Sequence, residues 1–266
     1  MVKFDNKICL LTKHHKENQI LPVFGEMWNG ELITYDTFDT DSLGSFDGEV
    51  KRQLSPRECA LKKAHLACEL SGLHQGIGSE GSFNGIAGIG NMDEEFIAFV
   101  DIVRKIEVVG VARQMVSLQA HNATDLDDAV QFVKHFPSAQ AWMTNGTAGI
   151  QKGVVGEESL RQALFYEAWP VTITPDFRAM HCPERQQVIK QATRDLIERC
   201  KANCPKCDYP GFVFDNTETG LPCELCLLPT NQIKSHTAIC AHCHYSEKKA
   251  VSETNASSFY CSFCNP

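Results

Sequence analysis

Eight of the chain's thirteen cysteines fall as four CxxC pairs: Cys204/Cys207, Cys223/Cys226, Cys240/Cys243 and Cys261/Cys264. Two residues between cysteines let a tight turn aim both thiolates at one ion, and zinc prefers a tetrahedron of such soft ligands. Fifteen residues separate Cys207 from Cys223, and seventeen separate Cys243 from Cys261. Both gaps match the spacing of a four-cysteine zinc site. The spacing predicts one zinc on the first two pairs and a second zinc on the last two. Interleaved pairing, first with third and second with fourth, stays open, because spacing alone does not fix connectivity. Pro205, Pro210-Gly211, Gly220-Leu-Pro222 and Asn265-Pro266 supply turns around the pairs. A segment this short and this poor in apolar residues needs a staple, and structural zinc supplies folding free energy. His236, His242 and His244 lie nearby, but four complete pairs leave them as surface residues.

Disulfides are the other use for paired cysteines, and compartment decides between the two. The N-terminus leads into a four-residue apolar stretch, Ile8 to Leu11, too short for a signal-peptide core. No apolar run approaches the ~18 residues of a membrane span. The expected location is therefore the cytoplasm, without a membrane, where thiols stay reduced and metal is the better explanation. The formal net charge is −8, which counts against duplex binding driven by phosphate neutralisation. From Ala202 onward the basic residues are Lys206, Lys234, Lys248 and Lys249, with no arginine to read base edges. Nucleic acid is thus disfavoured as a partner. Protein contact or simple stabilisation is the expected role of this segment.

The first two hundred residues alternate between strand-like and helix-like patterns, which predicts a layered α/β domain. Ile8 to Thr12 and Glu31 to Tyr35 read as strands, with a helix from about Lys16 to Trp28 between them, interrupted near Pro22. Ser55-Pro-Arg-Glu58 is a capping box with proline at the first helical position, opening a helix that runs to Gly72. Gly76 to Glu80 reads as a short strand, and Glu95–Val103 with Lys105–Val116 as a long hairpin. Helices are predicted over Asn122–Phe136, ended by Pro137, and over Pro183–Lys201. Gly76-Ile-Gly-Ser-Glu-Gly81 spells GxGxxG, but no strand–turn–helix context surrounds it, so it carries no dinucleotide fingerprint.

The candidate chemistry gathers around Glu80. Glycines 78 and 81 leave its carboxylate unshielded at an expected strand end, where α/β sheets commonly bind ligands. A carboxylate there can hold Mg²⁺, and Lys16, Lys62 and Lys63 can neutralise phosphates. The bland readings are a solvated helix face for Lys62 and Lys63, an ordinary first-turn residue for Lys16, and a capping role for Glu58. Asp36, Asp39, Asp41, Asp47 and Glu49 crowd one glycine-containing loop, which reads as a solvated acidic loop with cation binding as the alternative. Arg178, beside Asp176, can grip an anionic ligand bidentately or pair with a neighbour.

At these residues the chain resembles a known family. Glu58-Cys-Ala-Leu-Lys-Lys-Ala64 is similar to the ENAxxKA helix motif of inosine/xanthosine triphosphate pyrophosphatases, with Cys59 in place of the asparagine. Gly78-Ser-Glu-Gly-Ser-Phe83 is similar to the GxEGG strand of their smaller relatives. Thr12-Lys-His-His-Lys16 stands where that superfamily carries a TxNxxK loop, with Lys13 replacing its asparagine. The resemblance covers roughly the first 115 residues. It implies a pyrophosphatase-like mixed sheet, contacts from Lys16 and Lys63 to a triphosphate, and Glu58 and Glu80 on Mg²⁺ or Mn²⁺. It also implies hydrolysis at the α–β phosphate link. Over its whole length the chain resembles a group of uncharacterised bacterial proteins sharing Phe38-Asp-Thr-Asp41, Gly78-Ser-Glu-Gly-Ser-Phe83 and Cys261-x-x-Cys-Asn-Pro266.

The expected organisation is an α/β domain over residues 1–178, a linker helix over 179–201 and a small zinc-ribbon-like, double-zinc module over 202–266. The expected function is metal-dependent hydrolysis of a nucleoside triphosphate or similar phosphorylated small molecule. The alternative is a non-enzymatic adaptor whose zinc module docks a protein partner.

Overall fold

The computed structural model describes residues 2–38, 53–86, 90–147 and 149–266. The acidic-loop residues Asp39, Asp41, Asp47 and Glu49 lie outside them, and Asp36 is exposed. The architecture is mixed α/β with several sheets and two cysteine-rich clusters near the C-terminus. The chain divides into a large unit, Phe4–Ile197, and a small one built mainly from Glu198–Pro266. No helix among the described residues is long and apolar enough to cross a membrane.

The larger unit opens with β1 (Lys7–Leu11), α1 (Glu17–Phe24), β2 (Glu31–Tyr35), α2 (Pro56–Ser71), β3 (Gln75–Ile86), β4 (Gly90–Asp101) and β5 (Ile106–Val116). These strands form a five-stranded sheet in the order β2-β1-β3-β4-β5. β1 runs parallel to both neighbours, while β3, β4 and β5 form an antiparallel meander. Pro22 sits inside α1 without breaking it. The capping box at Ser55 forms as the sequence predicts, and left-handed Gly72 closes the other end of α2. β3 runs well past the expected Gly76–Glu80, because it pairs with β4 along its whole length.

The pleat sends alternate side chains to opposite faces. Ala98 and Val100 on β4 and Val109 on β5 pack against Ala60, Ala64 and Cys68 of α2. Phe99 points the other way, edge-on to Phe4, which in turn packs on Phe24 of α1. The long helix α5 (Pro183–Lys201) lies on that second face, since a Cβ on Gly110 would overlap the Ala192 carbonyl and Leu196 backbone. Gly78 plays the same part for α2: a Cβ there would overlap the Ala60 carbonyl oxygen and the Ala64 nitrogen. Helix backbone, not ligand, is what this glycine admits. Gly78→Ala must push α2 off the sheet and is expected to cost about 2–3 kcal/mol, read as a fall in the urea midpoint.

A second, four-stranded antiparallel sheet follows in the order β6-β9-β7-β8. Its elements are β6 (His121–Ala123), α3 (Leu126–Lys134), β7 (Ala141–Gly146), β8 (Gly149–Val155), α4 (Gly156–Ala163) and β9 (Val171–Pro175). The helix expected from Asn122 begins only after Asp125, whose carboxylate accepts from the Asp128 N–H. The residues before that cap pair with β9 instead. Trp142, Leu160, Val171, Ile173 and Cys182 form this sheet's core.

Candidate functional site

The small unit holds β10 (Asn216–Thr219), β11 (Ile233–Ile239) and β12 (Ser246–Ala250), an antiparallel meander in that order. Each CxxC pair forms a turn of one design. The N–H of Asp208, Leu227, His244 and Asn265 donates to the carbonyl of the pair's first cysteine. Asp208, Leu227 and His244 all take φ of 60°. The Lys206 and Leu225 N–H groups point at the Sγ of Cys204 and Cys223.

The ligand atoms gather as Cys204, Cys207, Cys240 and Cys243 in one group, and Cys223, Cys226, Cys261 and Cys264 in the other. The sequential assignment is therefore overturned: the pairs interleave, first with third and second with fourth. The meander is the reason. Each antiparallel strand carries the chain to the opposite end of the sheet, so consecutive turns land at opposite ends and alternate turns meet. Sγ···Sγ separations are 3.6 and 3.7 Å in the first group, and 3.6 and 3.9 Å in the second. Four thiolates at ~2.3 Å from one zinc would stand ~3.8 Å apart, against ~2.05 Å for a disulfide. Both groups can hold a metal ion, and the donor set suits zinc. Neither group includes a histidine; His242 stacks on Tyr209 instead.

The second site lies in the larger unit, where β1 stops. Leu11, the last residue of β1, pairs with Gly78, and β3 continues beyond it. Glu80 is thus not at a strand end, as the sequence suggests, but inside β3 beyond the carboxyl end of its parallel neighbour. Its carboxylate points to the α2 face and receives Lys63 Nζ at 2.7 Å, both side chains being buried. On the opposite face, Glu95 of β4 is fully buried and is held by Arg185 Nε of α5 and by Lys16 Nζ at 3.5 Å. Arg185 also donates to the Phe177 carbonyl at 2.6 Å, next to the Phe83–Phe177 ring stack. Gly81 makes room for this pair, since a Cβ there would overlap the Glu95 carboxylate and the Arg185 guanidinium.

Lys16 sits where the two faces meet, past the end of β1. Burial lowers its amine to about 8, and the charges of Glu95 and Glu80 oppose that fall. Asp93 completes the cluster two residues before Glu95 on the same face of β4. It is 0% exposed, and neither carboxylate oxygen meets a hydrogen-bond partner among the described residues. Burial pushes its carboxyl up to about 8, Glu95 adds to the rise, and Arg185 and Lys16 oppose it.

Of the residues singled out from sequence, Lys16, Lys63 and Glu80 come together. Lys62 is exposed on α2 and does not join them. Glu58 is exposed and accepts from the Ser55 N–H and Oγ at 2.9 and 2.6 Å; those bonds hold its carboxyl low. It serves the N-cap. Arg178 grips its neighbour Asp176 through Nε and Nη2 at 2.9 and 2.5 Å, the ion pair that the sequence left open. Asp93, Glu95 and Arg185 are the residues the sequence reading missed.

A sequence-family profile described as "Domain of unknown function (DUF6671)" matches residues 63–266. The chain belongs to the DUF6671 family. The DUF6671 span takes in Lys63, Glu80, Asp93, Glu95, Arg185 and all eight paired cysteines, while Lys16 and Glu58 precede it. No curated protein and no solved structure matches the chain.

Proposed function

We propose that the chain is a divalent-metal-dependent hydrolase of a nucleoside triphosphate or similar phosphorylated small molecule. Its site is the buried cluster at the end of β1, and the two four-cysteine groups are structural zinc centres. One observation carries this reading: Lys16, Lys63 and Arg185 alternate with Glu80, Glu95 and Asp93 in a water-poor setting at the carboxyl edge of a parallel strand. Buried cations there oppose phosphate charge far more strongly than exposed ones, because the local dielectric is low. A chain needing only stability would gain little from such a cluster, since buried ion pairs roughly break even against apolar packing.

Within this reading Lys63 aims the Glu80 carboxylate. Lys16, on the loop after β1, faces incoming phosphate oxygens, and Arg185 fixes Glu95 behind it. Mg²⁺ or Mn²⁺ bound from Glu80 would neutralise phosphate charge and acidify a water. Among the described residues, no three carboxylates of the cluster lie within 4.8 Å of one another. That suits magnesium, which is commonly held by one or two carboxylates plus substrate phosphates rather than by a protein cage.

The test is pyrophosphate and phosphate release from standard and deaminated nucleoside triphosphates with Mg²⁺ or Mn²⁺. Wild type is expected to turn over at least one of them, and Glu80→Gln to lose about 100-fold or more while keeping its fold. Binding without turnover would favour the adaptor reading instead. No binding and no turnover would remove the phosphate site.

A further inference from the structure

We propose that Asp93 and Glu95 anchor a hard divalent cation on the α5 face of the sheet, apart from Glu80 on the α2 face. The two carboxylates sit at alternate positions of β4 and so project from one side, beside the N-terminal turn of α5. Asp93 is the decisive residue. It is fully buried with no partner for either oxygen among the described residues. A cation satisfies both oxygens in one step.

The charge around it points the same way. The groups acting on Asp93 are Glu95 from its own strand, Glu184 and Arg185 from α5, and Lys16 from the loop after β1. Three carboxyl groups thus stand beside two cations, and Lys16 is shared with Glu80 across the step where β1 stops. Glu184 is half-buried, with its carboxylate hydrogen-bonded to the Ser117 backbone. Oxygen-only donors at this position select Mg²⁺, Mn²⁺ or Ca²⁺ over the thiophilic zinc of the cysteine groups.

The inference does not depend on hydrolysis, and its test uses no turnover. Mn²⁺ is titrated into the intact, zinc-loaded protein while backbone amide resonances are followed, with and without inorganic pyrophosphate. Selective paramagnetic broadening is expected at Asp93, Glu95 and their cross-strand partners Phe83 and Gly81, reversed by excess Mg²⁺. The amides of Ser55–Glu58 should stay sharp. Asp93→Asn, checked for fold by circular dichroism, should weaken Mn²⁺ binding at least tenfold by electron paramagnetic resonance. Broadening confined to the Lys63–Glu80 side would overturn the proposal, as would unchanged affinity in Asp93→Asn or no broadening at Asp93 in wild type. Because wild type alone locates the ion, a misfolded variant cannot leave the question open. Mn²⁺ at Asp93 with no hydrolysable nucleotide would uphold this site and sink the hydrolase.

Discussion

Stripping metal from both cysteine groups is expected to unfold residues 204–264 while the five-stranded sheet of the larger unit stays folded. The small unit has almost no core of its own: its largest buried cluster is Cys204, Phe212, Ala238 and Cys240. Two of those four side chains belong to a four-cysteine group that can hold a metal ion. Structural zinc contributes ~10–16 kcal/mol of apparent folding free energy in small modules, and a whole domain is stable by only ~5–15 kcal/mol. Removing it should therefore collapse the turns entirely. Hydrogen exchange before and after chelation reads this directly: protection should vanish over β10–β12 and persist over β3–β5. Two equivalents of zinc should be released per chain. The interleaved pairing adds a sharper arm. With cadmium-113 in place of zinc, Cys207→Ser and Cys243→Ser should perturb the same resonance, and Cys226→Ser the other. If Cys207→Ser and Cys226→Ser share a resonance, the pairing described above is wrong.

Arg185→Met should be the most destabilising single change in the larger unit, by about 3–5 kcal/mol. Arg185 is fully buried and joins three things at once: the Glu95 carboxylate on the first sheet, the Phe177 carbonyl after β9, and the face of the Phe83 ring. Removing it leaves Glu95 buried with only the longer Lys16 contact. The double variant Arg185→Met with Glu95→Met should recover part of the loss, because both charges leave together. Urea unfolding of the two singles and the double measures the coupling. A coupling near zero would mean that the pair is incidental to the fold.

Much of the architecture was legible in local signals. The Ser55 capping box, the β4–β5 hairpin and α5 each rest on a pattern confined to a few adjacent residues, and each forms, though β4 begins at Gly90 rather than at the expected Glu95. The stretch from Pro137 to Phe177 was not legible, because β7, β8 and β9 are short, irregular strands. His121–Ala123 could equally have opened the following helix until Asp125 was seen to cap it.

The polar site divides along the same line. Lys16, Lys63 and Glu80 were visible through glycines and motif resemblance. Glu95 and Asp93 were hidden because the hairpin strand was expected to begin at Glu95, which left Asp93 outside it and put Glu95 at its end, whereas β4 begins at Gly90. Only the period-two register from buried Phe99 and Ile97 puts them on the inner face. Arg185 left a readable trace: it continues the stripe Ile189, Ala192, Leu196 of α5, a cation where the pattern calls for an apolar residue. The four CxxC pairs were plain from spacing, yet which pairs come together needed the strand meander, which spacing cannot encode.

That meander also sets an order of events during synthesis. With consecutive pairs sharing an ion, the first centre would close once residue 226 had left the ribosome. With alternate pairs, neither half-site at Cys204/Cys207 nor at Cys223/Cys226 can finish until its partner arrives, at residue 243 for one centre and 264 for the other. The nascent chain must carry two open dithiols side by side across that interval. Each could capture the other's pair around a wrongly shared ion. Metal supply and translation speed over this segment therefore bear on which pairing is reached, and slow metal delivery favours the native one.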